Sequence, residues 1–216
     1  MGLDMYLNKM PRYRGATAKD VSVVENYLDW MKAKAKGSEY ANCTFEEWCG
    51  EKKKPAQSYI DFYSDFYTIN KYGFGHVMEQ VGYWRKANQI HNWFVENIQD
   101  GEDDCDYHRE VTKEDLKELL DICYKIKDIA IMGSAPVING YSYKDGKETP
   151  IYEDGAVIIN ADEVAKLLPT QGGFFFGSTG YDSYYMDDIE NTINIITKVL
   201  KTTDFDTEMV YYVSSW

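Results

Sequence analysis

Apolar and polar positions alternate at the start of the chain. Leu3, Met5 and Leu7 are separated by Asp4 and Tyr6, the period of two expected of a strand with one buried face. The period then lengthens. Val21, Val24, Leu28 and Met31 recur at spacings of three and four, which predicts a helix from a Thr17 cap to about Lys34 with these four inward. Thr44-Phe45-Glu46-Glu47 has the form of a capping box and opens a short second helix. Tyr59, Phe62, Tyr63, Phe66 and Tyr67 also suit helical spacing, and Gly73-Phe74-Gly75 breaks the pattern. A long helix is expected over residues 81–98. Another is expected over 113–127, striped by Leu116, Leu119, Leu120, Cys123 and Ile126.

Short β runs follow. Tyr141-Ser142-Tyr143, the turn Lys144-Asp145-Gly146 and Pro150-Ile151-Tyr152 make an expected hairpin, with Val157-Ile158-Ile159 as another strand. Residues 161–168 read as a short helix stopped by Pro169, and Phe174-Phe175-Phe176 as an apolar strand between glycines. A helix over 186–200 turns Ile189, Ile193, Ile196 and Leu200 inward, and 209–213 forms a last strand. Helices and strands intersperse without a strand–helix–strand rhythm. The expected architecture is therefore one α+β domain over 1–216, with a mixed or antiparallel sheet packed against several helices and 129–160 as an inserted hairpin.

Composition adds that the chain should fold. Of 216 residues 44% are hydrophobic and 15% aromatic, with 19 Tyr and 5 Trp, a load that disordered chains lack. No stretch approaches the roughly 20 apolar residues of a membrane span, and residues 1–11 lack a signal-peptide core, so a cytoplasmic protein is expected. Cys43, Cys49, Cys105 and Cys123 include no Cys-x-x-Cys pair and are expected to be free and mostly buried. The net charge of −13 is unevenly placed: residues 1–99 carry 13 Lys+Arg and 12 Asp+Glu, whereas 145–216 carry 4 and 13. An acidic second half repels phosphate backbones, which disfavours nucleic acid as a partner.

Two segments hold polar groups that a core does not require. On the expected helix over 81–98, Trp84, Asn88 and His91 fall on one side at positions i, i+4 and i+7, beside the cations Arg85 and Lys86. Trp could stack on a flat ring, and Asn and His offer directional hydrogen bonds. An amphipathic helix whose Asn88 and His91 satisfy neighbouring backbone groups explains the same residues. The second segment runs from Pro169 to Asp182 and contains Gln171, Gly173, Ser178, Thr179, Tyr181 and Asp182. Glycine-flanked loops let backbone N–H groups approach a ligand, although neither phosphate-binding glycine fingerprint is matched and tight turns explain the glycines equally well. The acidic run 100–106 could hold a hard cation but lacks EF-hand spacing and reads more simply as a solvated loop. No catalytic motif, cofactor motif or paired-histidine metal site is recognisable.

Gly2-Leu3-Asp4-Met5-Tyr6-Leu7, Gly82-Tyr83-Trp84-Arg85-Lys86-Ala87-Asn88 with Ile90-His91 and Trp93-Phe94-Val95, Leu167-Leu168-Pro169-Thr170-Gln171 with Gly173 to Thr179, and the terminal Ser214-Ser215-Trp216 resemble an uncharacterised family of small bacteriophage and prophage proteins. The resemblance covers the first strand and most of 80–127 and 165–216. It implies a host bacterial cytoplasm and an accessory viral task, such as sequestering a nucleotide-derived immune signal. A sponge of that kind needs stacking rings, a few cations and backbone donors in a pocket, and no catalyst. Two other readings stay open. One is an enzyme acting on a nucleotide derivative, with His91 as general acid–base and Asp104 or Asp182 as partner. The other is an acidic protein that inhibits a host protein. A homo-oligomer, with Trp216 at the interface, is a further expectation.

Overall fold

The computed structural model describes residues 2–69, 75–144 and 146–216. Gly73 and Phe74 of the expected break, and Asp145 of the expected hairpin turn, lie outside them. Among the described residues the chain forms an α+β arrangement of seven α-helices and three antiparallel sheets.

The central sheet is built from the two ends of the chain. Strand β1 (Asp4–Pro11) lies between β4 (Glu79–Arg85) and β7 (Glu208–Ser215), antiparallel to both. The register pairs Met5 with Trp84 and Ser214, and Leu7 with Gly82 and Tyr212, so these side chains share one face. Three helices supply most of the rest of that core: α4 (Asn88–Ile98), α5 (Lys113–Ile129) and α7 (Ser183–Thr202). Phe94 of α4 stacks on Tyr212 at 4.0 Å between ring centroids, and Ile189, Ile193 and Ile196 of α7 pack into the same cluster. Gly82 of β4 lies under α7: a Cβ there would stand 2.7 Å from Ile195 Cγ2, so that side chain or its helix would have to shift.

The opposite face of the sheet is covered at its Met10 and Met209 end by α1 (Ala18–Ala35) and α3 (Gln57–Tyr63), with Val21, Val24 and Tyr63 buried against Met209 and Tyr211. Thr17 and Asp20 form a reciprocal capping box on α1. Thr44 and Glu47 do the same for α2 (Phe45–Cys49), as their spacing predicts. On α1, however, Met31 is exposed and Trp30 is the buried residue, its indole donating to the Cys43 carbonyl at 3.2 Å. The aromatic run helical from Gln57 leaves the helix after Tyr63. Two-residue strands β2 (Thr68–Ile69) and β3 (Gly75–His76) pair beyond it.

The expected hairpin is present and longer than its sequence signal. Strands β5 (Met132–Lys144) and β6 (Lys147–Ile158) pair along their length, with Val157 and Ile158 as the end of β6 rather than a strand of their own. The short helix α6 (Ala161–Leu167) follows. Among the described residues the hairpin pairs with the rest of the molecule only through the bridge between Val157 and Asp182, while Ile138, Tyr141, Tyr143 and Tyr152 are exposed on one face. Among its described side chains only Ile158 is buried in the main core. Replacing residues 134–156 by an Asn-Gly turn is therefore expected to move the Tm by less than about 4 °C. A drop beyond about 10 °C in a thermal melt would mean that the body depends on the arm.

Two sequence expectations fail here. The chain over 81–98 is a strand, a corner and a helix, not one helix. In β4 only Gly82 and Trp84 are buried, and because Gly82 has no side chain the alternation is almost invisible. The corner is Lys86, at φ 62°, a left-handed conformation rarely adopted by residues other than glycine. Phe174-Phe175-Phe176 is likewise no strand but a turn, closed by the Phe176 N–H on the Gly173 carbonyl at 3.2 Å, with Phe175 at φ 83°.

Candidate functional site

The corner at Lys86 brings together the ends of four segments: β4, the N-terminal turn of α4, the loop after α6, and the start of α7. Between them lies a cleft of about 480 Å³, within the range of small-molecule sites. Arg85 and Lys86 bring cations to it, and Gly177, Ser178 and Gly180 a loop with small side chains. Asp182, Tyr184, Asp187 and Asp188 line it from the start of α7.

Asn88 holds this loop in place. It is 1% exposed, and its Nδ2 donates to the carbonyls of Phe176 (3.2 Å) and Ser178 (2.8 Å), while its Oδ1 accepts from the Gln171 N–H (3.0 Å). One side chain on the first turn of α4 thus satisfies three backbone groups of a loop more than 80 residues away in sequence. Thr170 tightens the same loop, its N–H donating to the Tyr181 hydroxyl (3.1 Å) and its hydroxyl to the Thr179 carbonyl (3.1 Å). Gly173 is needed because a Cβ would stand 2.5 Å from the Phe176 ring. Asp182 caps α7 by accepting from the N–H groups of Tyr184 and Tyr185.

Of the residues singled out from sequence, Arg85, Lys86, Ser178 and Asp182 line the cleft. Asn88, Gln171, Gly173, Thr179 and Tyr181 shape the loop behind it. Trp84 and His91 are elsewhere. Trp84 lies in the core at 1% exposure, its indole donating to Thr192 Oγ1 at 2.9 Å, so it offers no stacking face. His91 is fully buried. Its Nε2 is 3.0 Å from Asp103 Oδ1 and its Nδ1 is 2.7 Å from the Tyr212 hydroxyl, with Phe176 edge-on at 5.1 Å. The shared helical face of Trp84, Asn88 and His91 does not exist, because a strand-to-helix corner separates Trp84 from the other two.

Burial lowers the His91 pKa, with the charge and hydrogen bond of Asp103 acting against it. A neutral ring donating from Nε2 to Asp103 and accepting from Tyr212 at Nδ1 leaves every group satisfied. Trp216 joins the same carboxylate through its indole N–H at 3.0 Å, and Asp104 pairs with His108 at 2.8 Å. The acidic run thus anchors His91 and the C-terminus, and neither carboxylate assigned to His91 from sequence, Asp104 or Asp182, is its partner. Among the described residues no group of three His, Cys, Asp or Glu side chains could hold a metal ion, and no helix is long and apolar enough to cross a membrane. All four cysteines are free, but only Cys123 is buried. Cys43 and Cys49 are half-buried and Cys105 is exposed, against the expectation of mostly buried thiols.

Sequence reasoning missed Gln89 and Asp188, a hydrogen-bonded pair in the cleft lining. Gln89 Nε2 donates to Asp188 Oδ2 at 3.1 Å. Burial pushes the Asp188 carboxyl up to about 6; the Gln89 hydrogen bond opposes this, and the charges of Asp187 and Asp182 add to it. Between the ordinary value of 3.8 and about 6 the folded protein holds a proton that the unfolded chain has released, so Asp188 makes stability fall as pH rises through that window. Asp188→Asn is accordingly expected to raise the urea midpoint at pH 8, by about 1–2 kcal/mol in stability, and to match the native protein at pH 3.5. An equal shift at both pH values would show that the gain is not electrostatic.

Fold and cleft together describe an α+β protein with a cleft lined by both signs of charge at a strand-to-helix corner. Compared with known proteins, the chain matches no family model, no curated protein and no solved structure.

Proposed function

We propose that the chain binds a small nucleotide-derived molecule in the cleft beside Lys86 and acts by holding it rather than converting it. The observation that carries this reading is the combination of Arg85 and Lys86 with the Gly177–Gly180 loop and Tyr184 around one volume of about 480 Å³. Cations and closely approaching loop backbone suit phosphate. Tyr184 is largely exposed at the rim and offers a ring to a base. The resemblance to bacteriophage proteins adds the setting, a bacterial cytoplasm in which nucleotide immune signals would be the ligands. Sequestration is the biological task that follows from binding without turnover.

The test mixes purified protein with cyclic di- and trinucleotides and ADP-ribose derivatives, then denatures it by heat and assays the supernatant. Sequestration predicts that one signal disappears on mixing and returns unchanged on heating. Arg85→Ala with Lys86→Ala should abolish the capture while leaving the Tm within about 4 °C, since the Arg85 side chain is largely exposed. Return of a new product would instead favour an enzyme. Asp188, a cleft carboxylate titrating near 6, would then be the acid–base group to mutate first. Signals that stay free throughout would sink the binding reading.

A further inference from the structure

One wall of the cleft presents hydrogen-bond acceptors. Gln89 lines the cleft yet is only 2% exposed, so its amide orientation is fixed by its surroundings. A carboxylate can only accept, so the amide turns its Nε2 toward Asp188, as the 3.1 Å contact to Oδ2 records. With that bond made, Gln89 Oε1 and Asp188 Oδ1 are the acceptors left on the pair. Asp187, the residue before Asp188 on α7, is exposed and adds another carboxylate to the cleft lining. Two acceptors in a recessed site impose a strong requirement on a ligand. A group that brings a lone pair to them loses its own hydration and leaves theirs unreplaced, whereas one that brings two N–H groups satisfies both.

Resting on the binding reading above, we propose that the cleft selects guanine among nucleobases, with the Gln89–Asp188 pair accepting from the guanine N1–H and N2 amino group. Guanine alone of the common bases carries two adjacent donors on its pairing edge. Adenine and cytosine each set an acceptor nitrogen beside their amino group, and uracil flanks its single N–H with carbonyls. The ionised carboxylate strengthens the discrimination, because a hydrogen bond to a charged acceptor is about twice as strong as one between neutral groups. The same charge repels an acceptor edge, as do those of Asp182 and Asp187. Lys86, and Arg85 if it leaves Asp4 Oδ1 at 3.8 Å, would serve the phosphate, so both signs of charge in the cleft have a use in one ligand.

Calorimetric titration at pH 8 of the full chain with guanosine, inosine and adenosine 5′-monophosphates, and with cyclic di-GMP and cyclic di-AMP, tests this. Inosine differs from guanosine by the N2 amino group alone, so the comparison needs no variant protein. Guanine ligands are expected to bind at least tenfold more tightly than their inosine and adenine counterparts. Asp188→Asn, which places an amide where the acceptor stood, is expected to cut that preference to less than threefold while a thermal melt confirms folding. Equal binding of guanine and adenine ligands would overturn the guanine assignment and leave the nucleotide reading standing. A preference that survives both Asp188→Asn and Gln89→Leu would place the base elsewhere and overturn it as well. Failure of every nucleotide to bind would remove the assignment and the binding reading together.

Discussion

Replacing Asn88 by alanine is expected to destabilise the protein by about 3 kcal/mol and to release the loop that forms the cleft. The side chain makes three hydrogen bonds at 2.8–3.2 Å, and at 1% exposure no water stands ready to replace it. Its loss strands the carbonyls of Phe176 and Ser178 and the N–H of Gln171. Each stranded group costs about 1–3 kcal/mol if it stays buried, less if the loop swings out to find solvent. The expected compromise is partial release. Urea denaturation should report the loss of stability, and hydrogen exchange should show residues 171–180 losing protection before α4 and α7 do. Asn88→Asp keeps the acceptor for Gln171 but removes both donors, and should behave nearly as badly. A loss below about 1 kcal/mol for Asn88→Ala would mean that Phe176, packed between His91 and Trp216, holds the loop without it.

His91→Ala should be comparably severe, with a different signature. The substitution empties a fully buried volume and leaves the Tyr212 hydroxyl, itself 1% exposed, without its partner. Cavity and stranded group together give an expected loss of about 3–4 kcal/mol at pH 8. The pH dependence identifies the cause. The folded state lowers the His91 pKa below its ordinary 6.5, so on acidification the unfolded chain takes up a proton that the folded protein refuses. The native protein therefore loses stability as pH falls below 6.5, whereas His91→Asn, which cannot titrate, does not lose that part. The stability gap between native and His91→Asn should shrink from pH 8 to pH 5. A gap that widens toward pH 5 would mean that His91 is charged in the fold, paired with Asp103 as an ion pair. Either variant that remains folded should still bind ligand, because His91 does not line the cleft.

These two residues show how far the sequence alone reaches. Both were singled out for their chemistry, and both turn out to act on the fold. A buried Asn and a buried His satisfy groups distant in sequence, and nothing in the local pattern distinguishes such a partner from a ligand. Arg85 and Lys86, by contrast, were placed in a ligand site for their charge and do line the cleft. Gln89 and Asp188 carried no signal at all. One is an ordinary polar residue early in a helix, and the other is half of an Asp-Asp pair on what would pass for a solvated face; only the fold joins them, by a hydrogen bond of 3.1 Å.

What the sequence determined by itself is what local physics controls. Capping boxes at Thr17 and Thr44 are completed within four residues. Helices α5 and α7 follow from apolar stripes long enough to outweigh any alternative, and the hairpin from two alternating runs around a turn. The first and last strands follow from alternation that the core then uses. Tertiary structure alone decided the corner at Lys86 and the Phe174-Phe175-Phe176 turn. In both, backbone groups find their partners on distant segments: the Leu3 carbonyl accepts from the Lys86 N–H at 2.8 Å, and the Asn88 side chain takes the carbonyl of Phe176. A left-handed lysine or phenylalanine is locally unfavourable and persists only because contacts of that range over-determine it. The cleft lies beside these two places, so some of its lining could be picked out in the sequence while the meeting of the two segments could not.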